Sequence, residues 1–440
     1  MPTPSLLIVP ARFKSGKLYS QIPTSGEGDF TVTRATSATR VNASGLIESV
    51  ASGIPRLDYF ASGGTVGCPA LLVEPSAQNL AFNSQTWDAS NNWLLSEGSG
   101  RVTVATATSG TLAPDGLSTA NAITPTSGNI THYLYSNATG TISYVSGTVY
   151  TLSAFFKKGA GDSGRYVQIA SRGGNAFVGN PYANFDLELG TTLTVSGSVA
   201  DSNRVSRIQN YGNGWYRCIL TATCSTTQST TVGVLAALLT TDTNARLGAA
   251  FAGNTSDYIF GWGAQLETGS VATSYIPTTT ASVTRNADVV SVSGAVSGSI
   301  GQTEGTVYVE VDLRNLSTGV FRRILTISNG TTSNLFQIFT SDSSSIVNLG
   351  SSASGFTTLS SSSAIVGVAK IAFAYALNDV AFYINGTLIG TRTPSTIPAC
   401  NTVSLGSRVD SSNFLNDRIR AAALYTTRLT NAELATLTTP

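Results

Sequence analysis

TVYTLSAFFK, residues 148–157, places Tyr150, Leu152, Ala154 and Phe156 on one side of an extended chain. A side-chain period of two is the signature of a strand, and an apolar side in that register has to be covered by a second layer. GWYRCILTAT at 214–223 repeats the pattern with Tyr216, Cys218, Leu220 and Ala222. DYIFGWGAQL at 257–266 alternates Tyr258, Phe260 and Trp262 with smaller residues. Strands of this length between Gly/Asn/Ser loops argue for a β-sandwich over residues 79–288, ending near an extended Pro277-Thr278-Thr279-Thr280 linker.

On the C-terminal side, GTVYVEVDL at 305–313 alternates strictly, with Val307, Val309 and Val311 opposite Tyr308, Glu310 and Asp312. Asn385-Gly386 in AFYINGTLIGT is a strong hairpin signal, because both residues accept the positive φ of a type I′ turn. A strand is expected around 419–425, and Thr430-Asn431-Ala432-Glu433 is a capping box opening one short helix. Residues 289–440 therefore read as a second sandwich. Residues 1–78 hold short strand signals at 5–9, 29–34 and 70–74, punctuated by Gly26, Gly28, Gly53, Pro55, Pro69 and Pro75. With few large apolar residues of its own, this segment is expected to complete its fold against a neighbouring domain or chain. The expected fold is all-β: tandem β-sandwich (jelly-roll) domains with a short N-terminal β-rich docking segment and one short C-terminal helix. TVTR at 31–34 and SVTR at 282–285 echo each other, a four-residue match that carries little weight alone.

The length of 440 residues suits two or three domains. Charged residues make up 11%, against roughly 25% in ordinary domains, and the difference is taken up by Ser, Thr, Gly, Asn and Ala. The 17 Phe and 16 Tyr recur in Val/Ile/Thr-rich alternating runs, which favours folded β-structure over disorder. A net charge of +1 leaves no electrostatic footprint for a phosphate backbone, so nucleic acid is not an expected partner. Near-neutral surfaces tend to associate, and a homo-oligomer, a trimer, is expected. Cys68, Cys218, Cys224 and Cys400 form no close C-x-x-C pair, and His132 is the single histidine. A zinc site is not expected; the cysteines read as small buried hydrophobes, with pairing of Cys218 and Cys224 left open. The opening MPTPSLLIVPARFK is a short apolar stretch broken by Pro, so neither a signal sequence nor membrane insertion is expected.

Two stretches resemble known families. Gly212-Asn213-Gly214-Trp215-Tyr216-Arg217-Cys218, Trp262-Gly263-Ala264-Gln265-Leu266-Glu267, Thr273-Ser274-Tyr275-Ile276-Pro277 and Thr284-Arg285-Asn286-Ala287-Asp288 occur in that order. This set resembles the sandwich domains of phage tail and head-fibre proteins, which are similar to carbohydrate-binding modules. Asn79-Leu80, Phe82-Asn83, Trp93 and Ala113-Pro114-Asp115-Gly116 fit the start of that pattern. Residues 384–386, Leu405-Gly406 and the closing ALYTTRLTNAEL at 423–434 resemble the laminin G-like or concanavalin A-like sandwich. Residues 33–41 and 45–48 resemble the opening of phage structural proteins. These resemblances imply binding or architecture, and no catalysis.

The chemistry agrees with that implication. His132 is expected in a loop or strand edge, without a G-x-S-x-G nucleophile signature. Asp186 and Glu188 are too close in one strand to flank a glycosidic bond. Asp312, Asp342, Asp410 and Asp417 are scattered, so no catalytic residue, metal or cofactor is expected. Trp215 and Trp262 read as core. Trp93, after Asn91-Asn92, is a candidate sugar-stacking platform, with Tyr133, Tyr135, Arg172 and Asn175 as further glycan-binding candidates.

The expected protein is a non-enzymatic bacteriophage virion protein, assembled in the host cytoplasm. It would be a fibre or spike subunit that attaches to host surface glycans and docks on other virion proteins through residues 1–78. Removing that segment is expected to leave soluble sandwiches. A capsid decoration or head-fibre protein is the architectural alternative. A secreted polysaccharide-active enzyme with binding modules is the other, and it calls for a leader and a carboxylate pair.

Overall fold

The computed structural model describes residues 1–60, 66–91, 93–95, 100–106, 110–171, 176–196, 204–315, 320–341, 345–353 and 357–440. It is a tandem β-sandwich, almost wholly antiparallel strand, closed by one short α-helix, Asn431–Thr438. None of its described helices is long and apolar enough to cross a membrane.

The first sandwich stacks two six-stranded sheets. One runs Trp93–Leu94, His132–Tyr144, Gln228–Leu239, Tyr166–Ser171, Tyr182–Asp186, Thr191–Ser196. The other runs Val102–Thr106, Asn121–Pro125, Tyr258–Thr268, Val149–Ala160, Trp215–Thr223, Val205–Gly212. Tyr150, Leu152, Ala154 and Phe156 enter the core between the sheets, as their alternation requires, beside Cys218, Leu220, Val167 and Phe185. The opposite face of the same sheet is also apolar, where Phe155, Trp215, Phe260 and Trp262 pack against Ile47 and Tyr275. A β-bulge lets the 258–268 strand serve both faces. The register slips between Ser153↔Gln265 and Phe155↔Trp262, with Gly263 at φ 64° absorbing the extra residue. Phe260 and Trp262 thereby point outward, while Ala264 and Leu266 point into the core.

The second sandwich is built from both ends of the chain. Its eight-stranded sheet orders Thr387–Arg392, Asp379–Ile384, Gly367–Ala376, Glu304–Leu313, Asp417–Tyr425, Val66–Val73 and Leu57–Phe60, with Leu6–Ile8 also on Asp417–Tyr425. The facing nine-stranded sheet starts with Phe13–Lys14, Lys17–Leu18 and Phe30–Thr33 before continuing into Val289–Ser293 and Thr402–Leu405. Residues 1–78 thus supply strands to both sheets, in registers such as Leu6↔Leu424 and Val289↔Thr33. Leu6, Ile8, Leu18, Phe30 and Val32 share one core with Val307, Val309 and Val311. The segment is part of a sandwich, which corrects the expectation that it could be removed cleanly. Too few apolar residues for its own core become enough once they are inserted between another region's sheets.

Local signals read from the sequence hold here. Asn385 and Gly386 take φ 48° and 78° between the paired Ile384 and Thr387. Thr430 and Glu433 form the reciprocal capping box. Leu434 of that helix covers Tyr308, Tyr383 and Tyr425 on the outer face of the eight-stranded sheet. All four cysteines are free; three are buried, but Cys68 is exposed, against its reading as a buried hydrophobe.

A buried charge cluster joins the N-terminal strands, the linker and both sandwiches. Asp288 receives Arg34 at 2.8 Å and also Arg56, whose Nη1 donates to Glu74 at 2.7 Å. Glu74 accepts in turn from the Ser274 backbone N–H and hydroxyl, both at 2.7 Å. The guanidiniums and these hydrogen bonds hold the Glu74 carboxyl well below the usual carboxylate range, against the opposing effect of burial. Motif residues that suggested a family likeness, Thr273-Ser274 and Arg285 to Asp288, are therefore a structural junction.

Candidate functional site

The proposed stacking platform, Trp93, is only 1% exposed. Its ring stacks on Trp87 at 4.6 Å, and its Nε1–H donates to the Asn83 carbonyl at 3.1 Å. Both faces are committed to the core, so the polar residues before it misled the reading. Trp215 and Trp262 are core, as expected, and donate to Leu112 O and Thr119 Oγ1.

Tyr133 and Tyr135 do share the outer face of the first six-stranded sheet, with ring centroids 6.4 Å apart. They pack with Tyr182, Leu235 and Ala237, and the Arg101 guanidinium lies 4.6 Å over the Tyr133 ring. At 4% and 5% exposure they offer no free ring face for a sugar. Farther along this face, the 242–247 loop is tied down: Asn184 donates to Asp242 at 2.8 Å and the Leu247 N–H to Gln168 at 2.6 Å. Arg172 and Asn175 lie outside the described residues.

His132 is buried, not at a surface edge. Its Nδ1 faces Arg101 O at 2.7 Å and its Nε2 faces Phe251 O at 3.1 Å. Asp186 is paired with Arg165, and Glu188 with Lys158 at 2.6 Å and Arg165 at 3.0 Å. Asp312 and Asp410 are held by Arg314 and Arg408, and Asp342 lies outside the described residues. Among the described residues no group of three potential metal ligands comes together.

The more open candidate lies where the sandwiches meet. A cleft of about 470 Å³ opens between Val149 and Gly269 of the first sandwich and the 320–322 and 413–416 segments of the second. Phe321 is 42% exposed on its wall, close to the half-buried Phe414. Arg323 braces Phe321 from one side, its guanidinium 5.7 Å from that ring and 4.6 Å from Phe339.

The same wall carries polar groups whose bonding is incomplete. Asn416, held at φ 54°, is 8% exposed, and its Oδ1 accepts no hydrogen bond. Arg322 donates from Nη2 to Ser345 at 3.2 Å and lies 3.6 Å from Asp417, but its Nε has no acceptor. Burial pushes the Asp417 carboxyl up to about 6, although Arg322 and Arg418 oppose that rise. Buried polar atoms without partners are uncommon and call for a ligand, water or ion. The exposed Phe321 ring on this wall suits the C–H face of a polyhydroxylated ring, while Asn416 Oδ1 and Arg322 Nε lie behind the surface. Residues 320–321 and 413–416 escaped the sequence reading because they lie outside the strands, and Arg322 and Arg323 only open one. The Asn413-Phe414-Leu415-Asn416 run was the available signal, since asparagine tolerates the left-handed backbone that both its ends adopt.

No protein-family model and no curated protein matches this chain. Among solved structures it is similar in part to the IT-sialidase CBM40 of Ruminococcus gnavus, with 20% identity over 33% of this chain and 88% of that one, at a TM-score of 0.28. The NanB sialidase of Streptococcus pneumoniae aligns at 18% identity over 34% of this chain and 27% of that one, with a TM-score of 0.28. A SAP-like pentraxin from Limulus polyphemus aligns at 17% identity over 30% and 68%, with a TM-score of 0.24.

Proposed function

We propose that this chain is a non-enzymatic, glycan-binding virion protein of a bacteriophage, a fibre or spike subunit that holds sugar in the cleft between its sandwiches. The observation that carries the glycan part is the half-exposed Phe321 ring on the wall of the cleft between the sandwiches. The phage part is supported by the ordered motifs from Gly212 to Asp288 and by the closing segment at 423–434, which resemble fibre sandwich sequences. Within a trimeric particle protein the low charge of the chain is tolerable, because much of its surface faces other copies.

A glycan array probed with the full chain, with sugar release followed by mass spectrometry, tests this reading. Retention of defined oligosaccharides, lost on Phe321→Ala and without released product, is the expected result. Released sugar would replace it with the polysaccharide-active alternative, and no retention on any glycan would remove the binding role.

A further inference from the structure

Among the described residues lining the Phe321 cleft, Arg322 alone carries a charge. That charge is withdrawn from the surface: the side chain is 2% exposed. Its guanidinium is turned to Ser345 at 3.2 Å and to the opposite charge of Asp417 at 3.6 Å. Other openings in the molecule are different. A broader one of about 800 Å³, walled by Phe60, Leu189 and Val368, is lined by Arg207, Asp312 and Arg314.

The two walls of the Phe321 cleft also differ from each other. On the side of the second sandwich, Val320 is 51% and Phe321 42% exposed, and both are apolar. On the side of the first sandwich the lining carries the hydroxyls of Thr148, Thr268 and Ser270, and Ser76 adds another. Thr268 and Ser76 are exposed. The Ser76 hydroxyl donates to Arg285 O at 3.1 Å, so its oxygen keeps lone pairs for an incoming donor. Hydroxyls both donate and accept, which matches the hydroxyls of a sugar. A carboxylate only accepts, and it brings a full charge. Drawn into a cleft without an exposed cation, it loses hydration and gains no opposite charge in return. That cost falls on an acidic ligand and spares a neutral one of the same shape.

Resting on the reading of this cleft as the glycan site, we infer that it takes neutral sugars and rejects their acidic counterparts. Phe321 covers the C–H face of the ring, and the hydroxyl wall meets its polar edge. Acidic rings are excluded for want of a cation on either wall.

The test offers the full chain, near neutral pH, immobilised oligomers of glucose, galactose and mannose. Each stands beside the same oligomer oxidised to the carboxylate at C6 of every ring, a change of charge with little change of shape. Retention of a neutral oligomer, with its oxidised counterpart weaker by about tenfold or more, is the expected outcome. Thr268→Lys places a cation on the exposed rim and is expected to strengthen retention of the oxidised oligomer about tenfold. Thr268→Gln, which adds length without charge, is expected to give no such gain. Equal or stronger retention of the oxidised oligomer, lost on Phe321→Ala, overturns the inference and leaves the cleft as the glycan site. An equal response to Thr268→Lys and Thr268→Gln also overturns it, because charge would then not be what selects. Retention that survives Phe321→Ala, or no retention of any oligomer, overturns the reading of the cleft and this inference with it.

Discussion

Arg34 Nη1 lies 2.8 Å from Asp288 Oδ1, both side chains buried and 254 positions apart along the chain. The same carboxylate accepts from Arg56 and from the Glu74 backbone N–H at 3.1 Å. One aspartate thus ties the N-terminal strands to the linker between sandwiches. Asp288→Asn keeps the shape and removes the charge, leaving two buried guanidiniums short of a partner. A loss of about 3–5 kcal/mol is expected, read as a lower urea midpoint with an unchanged slope. A midpoint equal to the wild type would show that the network is dispensable.

Deleting residues 1–78 is expected to unfold the second sandwich. The deletion strips Leu6, Ile8, Leu18, Phe30 and Val32 from its core and leaves Asp417–Tyr425 and Val289–Ser293 each unpaired along one edge. Each side chain is worth roughly 1.5–3 kcal/mol, and together they rival the entire stability of a domain. Size-exclusion chromatography and near-UV circular dichroism read the outcome. A monodisperse, cooperatively folded truncation would contradict this account.

What the sequence revealed and what it hid follow from the range of the interactions. Val307, Val309 and Val311, the Asn385-Gly386 turn and the Thr430–Glu433 box are local patterns, each decided within a few residues, and each is found as read. Trp215 and Trp262 were legible as buried, but not as lying outside the sandwich core, because Ile47 and Tyr275 cover them from distant segments. The TVTR and SVTR echo is another such case: Arg34 and Arg285 end at the same carboxylate, which four matching letters do not convey. Trp93 failed as a site because local polarity does not report which side of a sheet a residue joins. The Phe321 cleft arises only when two sandwiches are brought together.

Asp417 gives the second sandwich an acid-side dependence of known sign. Its carboxyl is pushed up to about 6 when folded, against roughly 3.9 when unfolded. Between those values the folded chain holds a proton that the unfolded chain lacks, so stability falls as pH rises from about 4 to 6. The full change is about 3 kcal/mol. Glu74 acts oppositely: its depressed value contributes stability above about pH 4 that is lost on acidification. Urea unfolding from pH 2 to 7 separates them, since Asp417→Asn removes the first trend and leaves the second, which lies below about pH 4. An identical pH profile in the variant would show that Asp417 titrates normally.

Trp93 and Phe321 give opposite expectations that distinguish core from site. Trp93→Ala empties a stacked, hydrogen-bonded core position, at a cost of about 3–5 kcal/mol in stability. Any loss of glycan retention should then track the unfolded fraction and vanish under conditions that keep the variant folded. Phe321→Ala removes a ring that is 42% exposed, so stability should change by about 1 kcal/mol or less. Affinity for a retained glycan should nevertheless fall about tenfold, equivalent to roughly 1.4 kcal/mol of lost ring contact. Calorimetric titration and thermal unfolding on both variants read the two quantities separately. Undiminished affinity in Phe321→Ala would move the binding face away from the cleft, whatever the stability data show.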